Sequence, residues 1–401
     1  MTRAEIQSQV PVFANTVTST PTAAVIGAGI AGAACAVSLQ RAGVKVTVFD
    51  KSRGVGGRMS TRRATWTDGD GVDQSAEFDH GAQHFTATHP RFKAVLKRAI
   101  NVGCAAAWQP QIHAAWPGTQ DVNSYVAVPH MPALTRHLLA GLPMHMGEQV
   151  QRLQRHADGW HLVVQGGETV GPFDQVMLAL PPSQAATLLA GHQDAWADQL
   201  VGIEMQACWT LMAVTQDLDW PWDACEPTTG PLAWVSRNDR KPGRDAPKGC
   251  ATWVAQASAA WSAEHLEDDS ALVLESLKTA LASQLPTGQK IDWRHTSVHR
   301  WRYVTPAGTP AVTAAATAAA TAATTTAGRD ECWYDSGLGL GVCGDFMGEG
   351  NVGAAWRSGD ELADTVSASI EAIEEAAIEA ASAVEVKLKS VAKPKRSATP
   401  A

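Results

Sequence analysis

Three glycines near the start of the chain have the spacing of a site that binds a diphosphate. Gly27, Gly29 and Gly32 follow an apolar run and open an Ala-rich segment. In such a turn the first glycine permits a tight bend, the second lets the backbone approach the phosphates, and the third lets a helix pack closely on a strand. The N–H groups at the start of that helix, at Ile30 and Ala31, would then face the anion together with the positive end of the helix dipole.

An acidic residue lies where a ribose would bind. The strand-like run 45–49 ends at Asp50, about 20 residues after Gly29. A carboxylate at this place accepts hydrogen bonds from a ribose 2′-hydroxyl, which favours NAD or the AMP half of FAD over NADP. A strand, a helix, a second strand and a terminal acid together indicate a nucleotide site. The alternative is the same βαβ unit without a ligand.

A second turn, rich in glycine and arginine, follows directly. The sequence from 51 to 63 reads KSRGVGGRMSTRR, with Lys51, Arg53, Gly57 and Arg58 as candidate cofactor contacts. An ordinary NAD dehydrogenase has no need of such a turn, whereas an enzyme that keeps FAD bound gains from it. Its glycines let the backbone lie against the dinucleotide, and the Arg58 guanidinium can clamp the diphosphate in fork geometry. The alternative is a solvated basic loop.

Composition and charge argue against several classes of protein. With 401 residues, 45% of them hydrophobic, the chain is long enough for two domains with large cores. A net charge of −8 argues against nucleic acid as the main partner, and no run of about 20 apolar residues predicts a membrane span. Residues 1–20 do not resemble a secretory signal. The seven scattered cysteines, never spaced as CxxC, indicate reduced thiols in a cytoplasmic protein, with neither a disulfide framework nor a zinc site.

Periodicity predicts several elements further along the chain. Apolar spacing indicates a helix at 131–142 and strands at 160–164, 173–180 and 208–214. An acidic amphipathic helix is predicted at 367–384, and the basic segment after it is typical of a solvated extension.

Several segments together resemble the bacterial renalase-like flavoproteins, within the broader amine oxidase and glutathione-reductase-type FAD fold. Besides the first glycine turn, the resemblance rests on the 51–63 turn, FDHGAQHFTA at 78–87, HRWRY at 299–303 and GVCGDFMGEGNVGAAWRSG at 341–359. It covers roughly 22–365. The first motif is shared by many flavoproteins, and the combination is specific.

The resemblance implies an α/β architecture. A Rossmann-like FAD-binding domain of the glutathione-reductase type is expected from both chain ends, with a second α+β substrate domain from the middle and the flavin between them. The expected boundaries are a disordered leader at 1–21, FAD-binding segments at 22–90, 146–195 and 331–366, substrate-domain segments at 91–145 and 196–305, an Ala/Thr low-complexity insert at 306–330, and a helical and basic tail at 367–401.

The resemblance also implies which residues contact FAD. The AMP and pyrophosphate contacts are expected from both glycine turns and the acid between them, and the other groups are expected from the segments that carry the resemblance. The expected contacts are Gly27, Gly29, Gly32, Asp50, Lys51 and Arg58 for AMP and pyrophosphate, the backbone of Val150 for adenine, Gly344 and Asp345 for ribityl hydroxyls or a diphosphate-bound water, and Gly81, Ala82 and Gln83 for the isoalloxazine.

A helix is predicted to begin near the end of the last motif. Its start at Val352, Gly353 and Ala354 would point the helix dipole at flavin N1 and the C2 carbonyl, where negative charge collects on reduction. Because no attachment motif is evident and Cys343 differs in place from the attachment cysteine of amine oxidases, FAD is expected to bind noncovalently.

Four residues are candidates for the substrate side. They are His84, Trp301, Arg302 and Tyr303; an arginine suits a phosphate-bearing ligand and a tryptophan suits a flat ring. The alternative is that these residues pack beside the flavin without contacting substrate. His80 and His84 could imitate a metal site, but the glycine between them argues against a helix presenting both rings, so no metal is expected.

The resemblance implies oxidation of a dihydronicotinamide isomer, 2- or 6-dihydro-NAD(P), by hydride transfer to flavin N5, with O2 as acceptor giving H2O2. Such a donor becomes aromatic when it loses hydride, so no general base is required. The main alternative is a flavin amine oxidase, although the lysine which those enzymes place near the flavin has no clear counterpart around 299–306. A non-catalytic flavin- or NAD-binding sensor and a carotenoid-type desaturase are further alternatives. The expected partners are a small-molecule substrate and O2, without nucleic acid or membrane, and the oligomeric state is open.

Overall fold

The computed structural model describes residues 20–114, 123–285, 290–308 and 331–391, with side chains to 383. The strands are β1 (Thr22–Ile26), β2 (Lys45–Asp50), β3 (Arg62–Thr67), β4 (Asp73–Phe78), β5 (Ala105–Trp108), β6 (Ile112–Ala114), β7 (Ser124–Ala127), β8 (Met144–Met146), β9 (Val150–His156), β10 (Gly159–Val164), β11 (Thr169–Phe173), β12 (Gln175–Leu178), β13 (Met205–Gln216), β14 (Ala224–Glu226), β15 (Leu232–Arg237), β16 (Cys250–Ala257), β17 (Trp293–Pro306), β18 (Trp333–Asp335) and β19 (Leu340–Val342). The helices are α1 (Ile30–Arg41), α2 (Pro90–Asn101), α3 (Ala133–Leu138), α4 (Pro182–Leu189), α5 (Asp194–Val201), α6 (Ala259–Glu264), α7 (Ser270–Gln284) and α8 (Val352–Val391).

One six-stranded sheet joins the two ends of the described chain. Its strand order is β18-β19-β12-β1-β2-β8, parallel throughout except that β18 runs antiparallel to β19. Alternate residues of β1 face opposite layers, as a strand's period of two requires. Ala23 and Val25 pack in the layer of α1, α2 and α8, whereas Ala24 and Ile26 pack against the antiparallel sheet β9-β10-β11 and the helices α4 and α5. This Rossmann-like arrangement, built from both chain ends, confirms the predicted fold class.

A second six-stranded sheet comes from the middle of the chain, in the order β17-β13-β16-β15-β14-β6. Along β13, Trp209, Leu211 and Ala213 pack with α7 on one face. Met212 points to the other face and packs with Phe78, at the end of the β3-β4 hairpin. The two faces of this sheet therefore have different roles, because one packs on α7 and the other on the β3-β4 hairpin.

Several sequence predictions differ from the structure in their bounds. The helix predicted at 131–142 is only Ala133–Leu138, because Pro132 precedes it and the chain turns at Gly141, where φ is +86°. The strand predicted at 173–180 is divided, since Phe173 ends β11 and β12 covers only Gln175–Leu178.

The predicted helix near Val352 is present, but it continues without interruption to Val391 and so includes the helix predicted at 367–384. The leader, except at its last residues, almost all of the Ala/Thr insert and the end of the basic tail lie outside the described residues. Within the described part of the chain, every helix is too short or too polar to cross a bilayer.

Candidate functional site

A cavity of about 1770 Å³ lies between the two sheets. Its lining comes from both glycine turns, the end of β2, the 80–86 segment, the end of β17 and the 344–352 segment. Pockets for drug-sized ligands are about 300–1,000 Å³. This cavity is therefore large enough for a dinucleotide and a second molecule.

The three glycines of the first turn lie in three different environments. Gly27 has a φ of +115°, and a Cβ there would lie 2.3 Å from the carbonyl oxygen of Ala179. A Cβ at Gly32 would lie 1.9 Å from the carbonyl oxygen of Gly27, so helix α1 packs here with no room for a side chain. A Cβ at Gly29 would have no atom within 4 Å. Gly29 thus leaves open space beside the start of α1.

The start of α1 is built to receive an anion. Helix α1 has no capping side chain at its N-cap and no acidic residue in its first turn, so its first N–H groups have no anionic partner in the protein. The second glycine turn lies directly against it, with Gly56 N–H donating to Ala28 O at 2.9 Å and Gly57 adopting a φ of +55° close to Gly29. Free donors beside open space fit the diphosphate of a dinucleotide.

Asp50 lies at the carboxyl end of β2, with acceptor capacity left over. One of its oxygens accepts from Ala28 N–H at 2.7 Å and the other from Ser52 N–H at 2.7 Å. A carboxylate has about four acceptor sites, so Asp50 can also accept from ribose hydroxyls. Nearby, Lys51 Nζ donates to Gln184 Oε1 at 3.2 Å.

The adenine end predicted at Val150 also lies on this cavity. Val150 is buried and begins β9, and Gly147 N–H, just before it, donates to Ser52 O at 2.9 Å. The nearest atom to a Cβ at Gly147 is Cγ of Arg53, at 4.0 Å. The turn before β9 thus packs on the loop that follows Asp50.

Arg58 is paired with a carboxylate from the far end of the chain. Its Nη1 and Nη2 donate to the two oxygens of Asp345, each at 2.6 Å, and Nη1 also donates to Val304 O. Burial lowers the pKa of Arg58, but the Asp345 carboxylate outweighs burial and raises it above its ordinary value. The structure therefore brings together two residues that the sequence had assigned to different parts of the cofactor. Both terminal nitrogens of the guanidinium that was expected to clamp the diphosphate are engaged by Asp345.

The start of α8 lies on the same cavity. Val352 lines it, and Asn351 caps the helix by accepting from Ala354 N–H at 2.8 Å. Before the helix, Gly344 N–H donates to the buried Ser358 hydroxyl at 2.9 Å. Of the three residues expected at the start of this helix, Ala354 thus donates its N–H to the Asn351 side chain. Val352 and Gly353 occupy the first two positions of the helix.

The 80–84 segment forms an inner wall fixed by its backbone. A Cβ at Gly81 would lie 2.0 Å from the carbonyl oxygen of Arg58, and Ala82 N–H donates to that same oxygen at 2.9 Å. Side-chain donors occupy the carbonyls: Trp301 Nε1 donates to His80 O at 2.9 Å and Gln256 Nε2 to Gly81 O at 2.8 Å. This wall is therefore held rigidly from the second sheet.

Two buried histidines on the inner wall have pKa values well below the ordinary value of histidine. His84 packs between Trp108 and Trp234, with ring centroids 5.7 and 5.3 Å away, and burial, followed by the nearby Lys241 charge, lowers its pKa to about 4. Burial, together with the charges of His299 and Arg62, lowers the pKa of His80 to about 4. Both rings are thus neutral at pH 7.

Strand β17 separates the residues predicted for the substrate side. His299 and Trp301 face the inner wall, where the ring of each lies about 5 Å from that of His80: 4.8 Å for His299 and 5.1 Å for Trp301. Tyr303 shares their parity on the strand and also lines the cavity.

Arg302 does not join them. It has the opposite parity, like Arg300, which lies over the Trp209 ring on the helix-covered face. Although Arg302 contributes to the cavity rim, both of its terminal nitrogens donate to Glu267, at 2.7 and 3.0 Å. Side chains alternate between the two faces of a strand, so the sequence HRWRY itself separates His299, Trp301 and Tyr303 from the two arginines between them.

A buried charged cluster was missed by the sequence analysis. Asp79, Lys241 and Arg244 are each less than 10% exposed. Asp79 Oδ2 lies 2.9 Å from Arg244 Nη2 and 3.4 Å from Lys241 Nζ, and Thr61 donates to Oδ1 at 2.6 Å. Lys241 and Arg244 follow β15 in a segment with the composition of a solvated turn, so no local pattern indicates their burial.

The described residues hold no group of three or more histidine, cysteine or acidic side chains arranged for a metal ion. His80 packs with Trp301, whereas His84 packs with Trp108 and Trp234. The two imidazoles thus have separate surroundings.

Two curated proteins are similar in sequence to parts of this chain. The chain is 25% identical over 287 residues to a bifunctional tRNA 5-methylaminomethyl-2-thiouridine biosynthesis protein of Magnetococcus marinus, covering 55% of this chain and 43% of that protein. It is 31% identical over 115 residues to the carotenoid phi-ring synthase of Streptomyces griseus, covering 29% of this chain and 21% of that protein. The chain thus spans less than half the length of these curated relatives.

Solved structures share the fold at low identity. The cyclohexylamine oxidase of Brevibacterium oxydans aligns with a TM-score of 0.64 at 12% identity, over 88% of this chain and 100% of that one. A reduced UDP-galactopyranose mutase aligns with a TM-score of 0.62 at 13% identity, over 86% of this chain and 95% of that one.

Family models identify both parts of the chain. The NAD(P)-binding Rossmann-like domain matches residues 25–99, and the flavin-containing amine oxidoreductase family matches residues 113–367, more than half of the sequence. These matches confirm the predictions of FAD and of an oxidoreductase. The cavity, whose glycine turns fit a dinucleotide, agrees with these matches. The chain belongs to the flavin-containing amine oxidoreductase family and is an FAD-dependent oxidoreductase.

Proposed function

We propose that this enzyme oxidises a dihydronicotinamide isomer, 2- or 6-dihydro-NAD(P), with O2 as the electron acceptor and H2O2 as the product. The first glycine turn and the 80–84 inner wall would hold FAD noncovalently, and FAD would supply a hydride acceptor at N5 that is reoxidised by O2. The proposal places catalysis in the cytoplasm and requires no partner other than the two small molecules.

The charge of the inner wall carries this proposal. Among the described cavity residues of the 80–86 segment and of β15, β16 and β17, none is a carboxylate or a lysine. Directly behind the wall, Lys241 and Arg244 face the single carboxylate of Asp79. Positive charge at this place penalises a bound ammonium ion, whereas a neutral dihydronicotinamide carries its charge on distant phosphates.

The titration of the wall supports the same substrate. An alkylammonium must lose a proton before it can donate hydride, and the pKa of about 4 makes His80 and His84 weak bases. A dihydronicotinamide needs no base, because loss of hydride makes its ring aromatic. The residues of this chain then have to orient the ring and exclude water.

Aromatic side chains supply that orientation. Trp301 and Trp234 line the cavity on two strands of the second sheet, and Trp234 is 4% exposed. Trp301 is fixed by its donation to His80 O. One indole held by a hydrogen bond and one held by packing offer flat apolar surfaces to a planar ring.

Anaerobic stopped-flow absorbance tests the proposal. The purified FAD-loaded protein would be mixed separately with 6-dihydro-NAD, 2-dihydro-NAD, ordinary 1,4-NADH, cyclohexylamine and putrescine, and the oxidised-flavin band followed. We expect rapid bleaching by a 2- or 6-dihydro isomer and slow or no bleaching by the others, with H2O2 formed after air is admitted. Rapid bleaching by an amine alone would overturn the proposal.

A flavin amine oxidase is the second candidate, favoured by the family match and by one feature of the wall. His84 lies between two indole rings, Trp108 and Trp234, and an aromatic enclosure also suits a neutral amine. The cyclohexylamine oxidase that shares the fold acts, by its name, on such a substrate. The amine arms of the same experiment decide between the candidates, and turnover of any donor argues against a non-catalytic sensor.

A further inference from the structure

The buried cluster behind the inner wall carries an unbalanced charge. Lys241 and Arg244 contribute two cations and Asp79 one anion. The side chains of Lys241 and Asp79 are 0% exposed and that of Arg244 is 2% exposed. Burying a charge without a counter-ion is costly, so a net positive cluster in a protein interior indicates that another anion is expected nearby.

One side chain links the cluster to the cavity. Gln83 lines the cavity, and its Oε1 accepts from Lys241 Nζ at 3.1 Å and from Ser236 Oγ at 2.9 Å. With its oxygen engaged by these two donors, its amide nitrogen donates to Asp79 O and to Gly81 O. Lys241 therefore fixes which way the Gln83 amide is turned, and through it the backbone of the wall.

The same arrangement leaves backbone donors on the wall. The carbonyls of Asp79, His80 and Gly81 are engaged by side chains, as described above. Among the described residues, the N–H groups of Gln83 and His84 have no hydrogen-bond partner. A cofactor lying against this segment would meet these N–H donors. The net positive charge of the Lys241, Arg244 and Asp79 cluster lies behind them and is linked to the segment through the Gln83 side chain.

We propose that Lys241 is a positioning and charge-setting residue that raises the reduction potential of FAD bound beside Gly81–Gln83. A cation held in a low-dielectric interior stabilises negative charge much more than one in water. Because FAD gains negative charge on reduction, the cluster stabilises its reduced form. This inference depends on FAD binding and not on which donor is oxidised.

The charge of Lys241 is itself adjustable. Burial lowers its pKa to about 8, while Asp79 raises it and Arg244 lowers it further. The other groups that face it are the Trp108 ring, 5.5 Å from Nζ, and the neutral His84. As pH rises through 8 the cation is lost, so the reduction potential should fall more steeply with pH in this range than it does without the lysine.

Two substitutions separate charge from hydrogen bonding. Lys241→Gln keeps a donor for Gln83 Oε1 and removes the charge, and Lys241→Met removes both. We expect each variant to lower the equilibrium constant for two-electron reduction at pH 7 by at least tenfold, which is about 30 mV. The steeper pH dependence near pH 8 should disappear in both.

Stability and a surface control distinguish this role from a structural one. Either variant leaves Asp79 and Arg244 as a balanced pair, so the melting temperature of the FAD-free protein should be unchanged or higher. Lys93→Met, an exposed lysine on α2, should keep the wild-type potential. An unchanged potential in Lys241→Gln, or a wild-type pH profile in both variants, would overturn the proposal.

Discussion

The two ends of the cavity are built in different ways. At the nucleotide end, the groups expected to contact the dinucleotide are backbone groups of Gly27–Gly32 and the Asp50 carboxylate, all close together in sequence. At the inner wall, side chains from β15, β16 and β17 hold the 80–84 segment, more than 150 residues away. A ligand common to a whole family can be bound by a local backbone motif, whereas selectivity for one substrate is built from side chains that only the complete fold brings together.

The largest effect is expected from a substitution that disrupts the nucleotide end of the cavity. Gly32→Ala places a Cβ 1.9 Å from the carbonyl oxygen of Gly27, so α1 must move away from β1. We expect a loss of about 3 kcal/mol in the free energy of unfolding and loss of bound FAD. Urea denaturation and flavin absorbance of the purified protein measure the two.

Gly29→Ala is the matched control in the same turn. Gly29 has φ −77° and ψ −178°, which any residue adopts, and its Cβ would contact no protein atom. We expect unchanged stability of the FAD-free protein and at least a tenfold rise in the dissociation constant of FAD, because the new methyl group occupies the space assigned to the diphosphate. Equal FAD affinity in Gly29→Ala and wild type would contradict that assignment.

A second prediction concerns acid sensitivity at the inner wall. The pKa of His84 is about 4 in the folded protein and its ordinary value is 6.5, so the unfolded state binds more protons between these values. Stability therefore falls as pH is lowered from 6.5 to 4, by about 3 kcal/mol for this residue. His84→Phe should remove that part of the pH dependence in urea titrations at pH 7 and pH 4.

His80 retains its own contribution in that variant, because burial lowers its pKa to about 4 as well. The exposed His137 on α3 supplies a control, and His137→Phe should keep the wild-type dependence. A His84→Phe profile that superimposes on the wild type would show that His84 is protonated or solvated in the folded protein.

The smallest effect is expected at the rim. Arg302 is paired with Glu267 on the face of β17 away from His80, and both side chains are largely exposed. Arg302→Gln should leave the melting temperature unchanged within error and change KM for a dihydronicotinamide donor by less than twofold. A large rise in KM for phosphate-bearing donors only would restore the role that the sequence suggested for this arginine.

The nucleotide end was readable from the sequence because its geometry depends on local spacing. A tight turn, a close helix contact and an acid after the next strand need only neighbouring residues. Gly27, Gly29 and Asp50 therefore line the cavity, and Gly32 packs α1 against the turn, as the motif predicts. The fold class followed from the same motif and from its resemblance to a flavoprotein family.

The residues of the inner wall could be predicted only in part from the sequence. The segment 78–87 was recognised by resemblance, but Lys241 and Arg244 follow β15 among prolines, glycines and charges, which locally indicate a solvated loop. Their burial depends on Asp79, which directly follows β4 and is far away in sequence. The pairing of Arg58 with Asp345 is hidden for the same reason, since tertiary structure and not spacing brings these residues together.

The position of β19 and α8 has a consequence for biosynthesis. These last described elements complete the parallel sheet and pack on α1, and they bring Asp345 to Arg58. A chain emerging from the ribosome therefore exposes its glycine motif long before the residues that enclose the other side of the cavity have been made. FAD loading is thus expected to follow synthesis of β19 and α8, because the cavity is not enclosed before these elements exist.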